Sequence, residues 1–204
     1  MAEKTSLKPV RLSIPYPFRR VDDENISVCL FTKDPQRLYK DTLKVLDIPA
    51  ISKVQGITKL KAKFKPFEAK RNLVGAFDLF LADTRIIPML PKVLGKTFFG
   101  KKKQPVPVRI QDASQPEKLG KELTEAIEAT YYFQTGGANV SIRVGNISQQ
   151  KPHIAANAVT ILKFLSRKIG GGIAGIRSIH IKTHSSVALP IFVRKALVGA
   201  KGSD

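Results

Sequence analysis

The order of apolar patterns between residues 26 and 110 constrains the fold more than any other feature of the sequence. Short runs typical of buried strands alternate there with segments in helical spacing, in the order β-α-β-α-β-α-β. The strand-like runs are "NISVCLFTKD", "AISKVQG", "DLFLADTR" and "PVPVRI". Strands that alternate with helices favour a parallel sheet with helices on both faces. We therefore predict an α/β fold for the middle of the chain.

The two ends of the chain predict a second, smaller α+β layer. The segment "QPEKLGKELTEAIEATYYF" is amphipathic and is expected to form a helix that bridges back to this layer. A long helix is expected over "HIAANAVTILKFLSRKI". Four further runs are typical of strands: "VRLSIPY", "NVSIRVGNIS", "IRSIHIKT" and "LPIFV".

The charge of the chain is strongly positive and unevenly placed. Thirty-five basic and sixteen acidic side chains give a formal charge of +19 and a pI near 10.2. Between Ala129 and Ser203 there are ten basic residues and no Asp or Glu. Ordinary surfaces intersperse both signs. This span therefore predicts a polyanionic partner, with nucleic acid as the first candidate and an anionic membrane surface as the second.

Both ends of the chain share this basic character, and the middle does not. Residues 1–21 hold five basic side chains and one acidic side chain, whereas residues 22–128 hold 20 basic and 14 acidic side chains. We hypothesise from this likeness that the two ends form one domain and that the middle is inserted into it.

Two glycine-rich stretches resemble nucleotide sites but lack the required context. The Gly-Lys-Thr that begins at Gly95 has Leu90 where a P-loop needs glycine, and it follows a helical pattern rather than a strand. The "GGGIAG" of residues 170–175 follows a predicted helix and precedes a strand, which is the reverse of a dinucleotide site. We predict a helix C-cap and a turn there.

The remaining reactive side chains do not converge on an active site. The three histidines have neither cysteine partners nor ligand spacing, so we expect no metal and no other cofactor. Asp78 and Asp83 bracket a predicted strand and are suited to catalysis, to capping a turn or to pairing with a lysine. Without a second converging group, we predict a protein that is not an enzyme.

The sequence also carries signals about the compartment. No apolar run reaches the roughly 18 residues of a membrane span. The segment "MAEKTSLKPV" lacks the apolar centre of a secretory signal. The single Cys29 lies in the apolar run "ISVCLF", where we expect a buried, unreactive strand residue. A chain without an internal disulfide fits a reducing compartment.

Four separated stretches together resemble a known family. They occur in family order and at family spacing: "ISVCLFTKDPQRLY", "FDLFLADTRIIPMLPKVLGKTFFGKKKQPVPV", "GANVSIRVGNIS" and "IHIKTHSSVALPIF". The chain is similar, from about Lys8 to Val193, to the ribosome-biogenesis branch of the ribosomal large-subunit protein one superfamily.

The resemblance implies a two-domain α/β fold. Domain one would be a discontinuous α+β domain made of residues 1–22 and 132–204. Domain two would be an inserted Rossmann-like, three-layer α/β domain of residues 23–131 that binds no dinucleotide. The family usually has a helix before the first strand of domain one, and ten residues are too few for it. We expect either a trimmed chain or a domain that a partner completes.

The resemblance also implies where RNA binds. In ribosomal members the RNA site lies on the domain-one sheet, near a turn after the penultimate strand, and "KTHSSVALP" matches that turn without its Met-Gly-Pro-Gly. The lysine-rich loop "LGKTFFGKKKQPVP" would contribute secondary contacts with the RNA backbone through Lys96, Lys101, Lys102 and Lys103. The residues expected at the main site are Lys8, Arg11, Arg143, Lys182, Thr183, His184, Ser185 and Ser186.

The function implied is that of a non-enzymatic assembly factor of nucleolar pre-ribosomal particles. Its expected partners are structured pre-rRNA or rRNA and other assembly factors, without a membrane or a small-molecule substrate. Aromatic residues make up only 7% of the chain, which argues against base stacking as the main mode of binding. Two alternatives remain open: a stalk protein of the mature large subunit, and a protein-docking module in which domain two docks and RNA contact is secondary.

Overall fold

A four-stranded parallel sheet forms the centre of the computed structural model. The structure describes residues 9–23, 25–100, 103–110, 115–134 and 137–194. The strands assigned within these ranges are β1 (Val10–Leu12), β2 (Val28–Thr32), β3 (Ile51–Gly56), β4 (Leu79–Asp83), β5 (Val106–Val108), β6 (Thr130–Tyr132), β7 (Ser178–Ile181) and β8 (Leu189–Val193). The α-helices are α1 (Gln36–Leu46), α2 (Ile57–Lys63), α3 (Phe67–Ala76), α4 (Leu90–Leu94), α5 (Lys96–Phe99), α6 (Pro116–Glu128) and α7 (Lys151–Lys168).

The parallel sheet has the strand order β3-β2-β4-β5 and confirms the α/β prediction for the middle of the chain. Every residue of β2 and of β4 is buried. Central strands of a parallel sheet are covered on both faces, which explains why their sequences are continuous apolar runs.

Two separate hydrophobic cores cover the two faces of this sheet. On one face, Val28, Leu30 and Leu81 pack with residues of α1 and α6. On the other face, Phe31 and Phe80 pack with residues of α2, α3, α4 and α5. Burying each such large side chain contributes about 1.5–3 kcal/mol. The result is a three-layer arrangement in which each of the helices α1 to α6 covers one face of the sheet.

The chain leaves the first strand and returns beside it about 120 residues later. β1 pairs with β6 in antiparallel register, with Val10 opposite Tyr132 and Leu12 opposite Thr130. Such a return is what an inserted middle segment requires. The domain boundaries at residues 22/23 and 131/132 stay a prediction.

Contacts group the chain into two compact units. Residues up to Asn157 form the first unit, and those from Ala158 onward form the second. The described part of the second unit contains the end of α7, a glycine-rich turn and the antiparallel hairpin β7–β8. Gly171 and Gly172 have φ values of 84° and 62°, which only glycine adopts without strain. The predicted turn is therefore confirmed, and it leads into a short 3-10 helix, Gly172–Gly175; the predicted C-cap stays a prediction.

Two predicted elements differ from the structure. The bridging helix α6 ends at Glu128, and the following Thr130–Tyr132 form β6 instead. The strand expected over residues 139–148 is wrong, because none is assigned there. Side chains take up two carbonyl groups of this segment: the Thr130 hydroxyl donates to the Arg143 carbonyl (2.6 Å), and the Asn157 amide donates to the Val144 carbonyl (3.0 Å).

Within the described ranges, no helix is both long enough and apolar enough to cross a membrane.

Candidate nucleic-acid interface

The turn between β7 and β8 holds its own shape through short hydroxyl side chains. The Ser186 hydroxyl accepts a hydrogen bond from the Thr183 amide (2.9 Å), and the Thr183 hydroxyl accepts one from the Ser186 amide (3.1 Å). The Ser186 hydroxyl also donates to the Val187 carbonyl (3.2 Å). Thr183 and Ser186 therefore stabilise the turn by hydrogen bonds to each other, and the neighbouring side chains are available to bind a partner.

Three other predicted residues of this turn are free to bind. Lys182, His184 and Ser185 are exposed. Within the ranges that the structure describes, their side chains make no hydrogen bond or ion pair with the rest of the protein. An ammonium, an imidazole and a hydroxyl together offer donors for phosphate and ribose oxygens.

The described part of the second unit carries positive charge only. It contains no Asp or Glu, and its basic residues are Lys163, Arg167, Lys168, Arg177, Lys182 and Arg194. Arg194 is partly committed inside the unit, because its guanidinium donates to the carbonyl groups of Ala174 and Ile173. The other five are exposed. Their charge is uncompensated within the unit and favours a polyanion.

Arg11, by contrast, is paired with acidic residues of the first unit. Its guanidinium lies 3.1 Å from a carboxylate oxygen of Glu122 and 3.7 Å from one of Glu125. Both glutamates belong to α6, so this pairing ties β1 to the helix that brings the chain back. A cation already neutralised by two carboxylates adds little to the attraction of phosphate.

Arg143 shares an aromatic ring with a second arginine. The guanidinium carbons of Arg143 and Arg19 lie 4.7 Å and 4.9 Å from the centre of the Phe18 ring. Burial lowers the pKa of Arg19 to about 10; the charge of Arg143 acts in the same direction, and Tyr131 and Asp78 oppose the shift. Arg143 itself is exposed, so it remains suited to contact RNA, whereas Arg19 is embedded in the fold.

Two of the predicted lysines of the lysine-rich loop differ in their surroundings: Lys103 is bound within the fold, and Lys96 is exposed. The Lys103 ammonium donates to the carbonyl groups of Val74 (2.9 Å) and Phe77 (2.8 Å), at the end of α3. Lys103 therefore caps a helix. Lys96 is exposed at the first residue of α5. The other three predicted lysines, Lys8, Lys101 and Lys102, lie outside the described residues.

The Gly-Lys-Thr stretch shows no phosphate-binding geometry. Gly95 joins α4 to the four-residue α5 with a φ of 65°. A P-loop would instead connect a strand to a long helix.

Asp83, the last residue of β4, and Asp78, just before this strand, both make contacts within the fold. Asp83 is 1% exposed and binds the Arg85 guanidinium, which also donates to the Tyr39 hydroxyl (2.9 Å). Asp78 accepts hydrogen bonds from the amide (3.1 Å) and the hydroxyl (3.2 Å) of Ser27. The structure thus shows Asp83 paired with an arginine and Asp78 bound to the amide and hydroxyl of Ser27, 51 residues away in the chain. The described residues also include no cluster of three or more His, Cys, Asp or Glu side chains with the geometry of a metal site.

Sequence reasoning missed an asparagine that joins distant parts of the first unit. Asn157 is fully buried; its amide oxygen accepts from the Tyr16 amide (3.0 Å), and its amide nitrogen donates to the carbonyl groups of Tyr16 (2.7 Å) and Val144 (3.0 Å). Tyr16 also stacks on His153 at a ring distance of 3.9 Å. The one available signal was a polar residue among the apolar positions of "IAANAV".

Comparison with known proteins finds a matching family and several relatives. The profile of the ribosomal protein L1p/L10e family matches residues 1–187. A putative ribosome biogenesis protein of Schizosaccharomyces pombe is 42% identical over 91% of this chain and 49% of the relative. Ribosomal L1 domain-containing protein 1 of Mus musculus is 33% identical, over 91% of this chain and 42% of the relative.

A third relative is covered more fully. The ribosome biogenesis protein UTP30 of Saccharomyces cerevisiae is 30% identical over 82% of this chain and 68% of its own length. Against the other two relatives, the chain spans about half the length of the proteins that it matches.

Proposed function

Because the chain belongs to the ribosomal protein L1p/L10e family, we propose that it is a non-enzymatic, RNA-binding factor of ribosome biogenesis that acts in nucleolar pre-ribosomal particles. The observation that carries the RNA-binding part is the described part of the second unit, which is basic and free of acidic residues and includes an exposed turn. The names of the most similar relatives support the role in ribosome biogenesis.

Affinity in this proposal comes from the charge of the second unit. Each lysine or arginine that neutralises a phosphate releases a counterion, so binding weakens as salt rises. Lys182 is the residue of the turn best suited to this task, with Arg177 and Arg167 as further exposed cations of the same unit.

Recognition of RNA comes from the turn. Ser185 and His184 offer a hydroxyl and an imidazole beside Lys182. Structured RNA displays 2′-hydroxyl groups across its shallow minor groove, where short polar side chains reach them. Thr183 and Ser186 position these groups by fixing the turn. On the first unit, Arg143 is proposed as a separate contact with RNA. Arg11 acts mainly by holding β1 against α6.

The test is crosslinking of the tagged protein to RNA in cells, with reads mapped across the pre-rRNA. We expect a sharp peak in a structured or spacer segment that Lys182→Glu removes. Lys44→Glu is the matched control, since Lys44 is an exposed lysine of α1 in the first unit. Diffuse reads that Lys182→Glu leaves unchanged would contradict the proposed site and favour placement by protein contacts.

Sedimentation of the same tagged protein distinguishes an assembly factor from a mature stalk protein. We expect it in precursor particles and not in translating ribosomes. A stable association with polysomes would favour the mature large-subunit alternative.

A further inference from the structure

We propose a second RNA contact on the first unit, formed by the helices that cover one face of the parallel sheet. This inference rests on the proposed RNA-binding function and adds a surface that the turn at residues 182–186 does not include. The surface, called here the basic helix face, consists of Lys59, Lys61, Lys63, Lys65, Lys70, Arg71, Lys92 and Lys96.

The two faces of the sheet differ sharply in charge. α2, α3, α4, α5 and the connection between α2 and α3 carry eight basic residues and one acidic residue, Glu68. α1 and α6, on the opposite face, carry five basic and five acidic residues. The modest positive charge of the middle of the chain is thus concentrated on one side of the sheet.

The charges of the basic helix face are uncompensated. No ion pair joins any of its eight cations to a carboxylate within the described ranges, and seven of the eight are exposed. On the opposite face, Arg37 pairs with Asp41 at 3.8 Å, and α6 offers Glu122 and Glu125 to Arg11. Like charges crowded on one surface repel one another, and a polyanion relieves that repulsion.

An exposed aromatic ring within this face favours RNA over an acidic protein as its partner. Phe67 is 75% exposed at the first residue of α3, and the Lys70 ammonium lies 5.6 Å from the centre of its ring. Lys65 stands two residues before it in the sequence. Aromatic rings flanked by cations bind unpaired nucleotides by stacking on the base while the cations meet phosphate. An RNA helix with a bulged base offers both features.

Removal of charge from this face tests the phosphate contacts. Affinity of the purified full chain for an RNA hairpin is measured by fluorescence anisotropy between about 50 and 200 mM salt. For Lys59→Gln/Lys61→Gln/Lys63→Gln we expect Kd to rise about 10-fold and the slope of log K against log salt to shrink by roughly two. The matched control is Lys40→Gln/Lys44→Gln/Lys118→Gln, which removes the same charge from exposed lysines of the opposite face.

Phe67→Ala tests the stacking contact. We expect it to weaken binding to a hairpin with a bulged base by about 5-fold or more, and to leave binding to the fully paired hairpin unchanged. Because Phe67 is exposed, its removal should leave Tm unchanged, and a thermal melt verifies that all variants fold.

The outcomes separate this inference from the proposed function. If the triple variant of the basic helix face behaves like its control while Lys182→Glu loses binding, the second contact is overturned and the proposed function stands. If neither affects binding, both are overturned. If polyglutamate binds this face as tightly as the RNA does and Phe67→Ala has no effect, an acidic protein is the occupant and the RNA contact is overturned.

Discussion

Cys29 lies in the central strand β2, where burial raises the pKa of its thiol to about 12 and the charge of Lys53 opposes that rise only in part. Since the thiolate is the reactive form, we expect native Cys29 to resist iodoacetamide at about pH 8. In concentrated guanidinium chloride it should react at the rate of a free thiol. Mass spectrometry of the alkylated protein measures both rates, and fast labelling of the folded protein would contradict this burial.

The same shift of the thiol pKa predicts an effect of alkaline pH on stability. The folded pKa of about 12 lies above the ordinary value of 9.0. The neutral thiol therefore stabilises the fold fully below about pH 9, and this contribution is lost as pH rises toward 12, at about 1.4 kcal/mol per unit. We expect the free energy of unfolding of the wild type to fall more steeply in this range than that of Cys29→Ala. Parallel curves for the two proteins would refute this linkage.

Removal of the buried Asn157 amide should destabilise the first unit. Asn157→Ala leaves the Tyr16 amide and the Val144 carbonyl without the hydrogen bonds that Asn157 gives them, while the Tyr16 carbonyl keeps one from Gln149. We expect the free energy of unfolding to fall by about 2–3 kcal/mol. Urea denaturation measures this change. Asn25→Ala, which loses only an exposed contact with Asp23, should stay within about 0.5 kcal/mol of the wild type. Equal effects of the two variants would argue against this role of Asn157.

At the scale of elements, Lys103 determines how α3 ends. Lys103→Met removes the two hydrogen bonds to the carbonyl groups of Val74 and Phe77. We expect a loss of about 1–2 kcal/mol in the free energy of unfolding, whereas Lys96→Met should change it by less than about 0.5 kcal/mol. Chemical denaturation of both variants measures the difference. Unchanged stability of Lys103→Met with weakened RNA binding would instead assign Lys103 to the interface.

Most elements were predictable because their signals are local. β2 and β4 are uninterrupted apolar runs, and α7 repeats apolar residues at helical spacing over its whole length. The sequence predicts a helix through "TYYF" because these residues continue the apolar pattern of α6. They form the strand β6 because they pair with the distant β1. No strand forms over residues 139–148, where side chains rather than a neighbouring strand bind the carbonyl groups of Arg143 and Val144.

At the scale of the whole molecule, the formal charge of +19 should make the free protein sensitive to salt. Self-repulsion destabilises the compact state, and salt screens it over a Debye length of about 10 Å at 0.1 M. We therefore expect Tm of the RNA-free protein to rise with sodium chloride concentration. Differential scanning calorimetry measures this shift. A fall in Tm would show that screening of favourable ion pairs outweighs relief of repulsion.

The candidate RNA site was only partly predictable because pairing of charges is a property of the fold. The sequence shows Arg11, Lys103 and Lys182 as three equivalent cations. Arg11 meets Glu122, which lies 111 residues away in the chain, Lys103 meets two carbonyl groups of another element, and Lys182 is exposed. Periodicity cannot distinguish these cases, since the partners are brought together only by folding.

The amino-acid sequence alone determined the α/β character of the middle of the chain, the burial of Cys29 and the net positive charge that favours a polyanionic partner. Each of these depends on local periodicity or on composition. The tertiary structure decided which helices share a face of the sheet, and therefore that eight cations are gathered on one side. It also decided which cations are neutralised inside the protein. Both depend on distances between residues far apart in the chain, which packing of the two cores fixes.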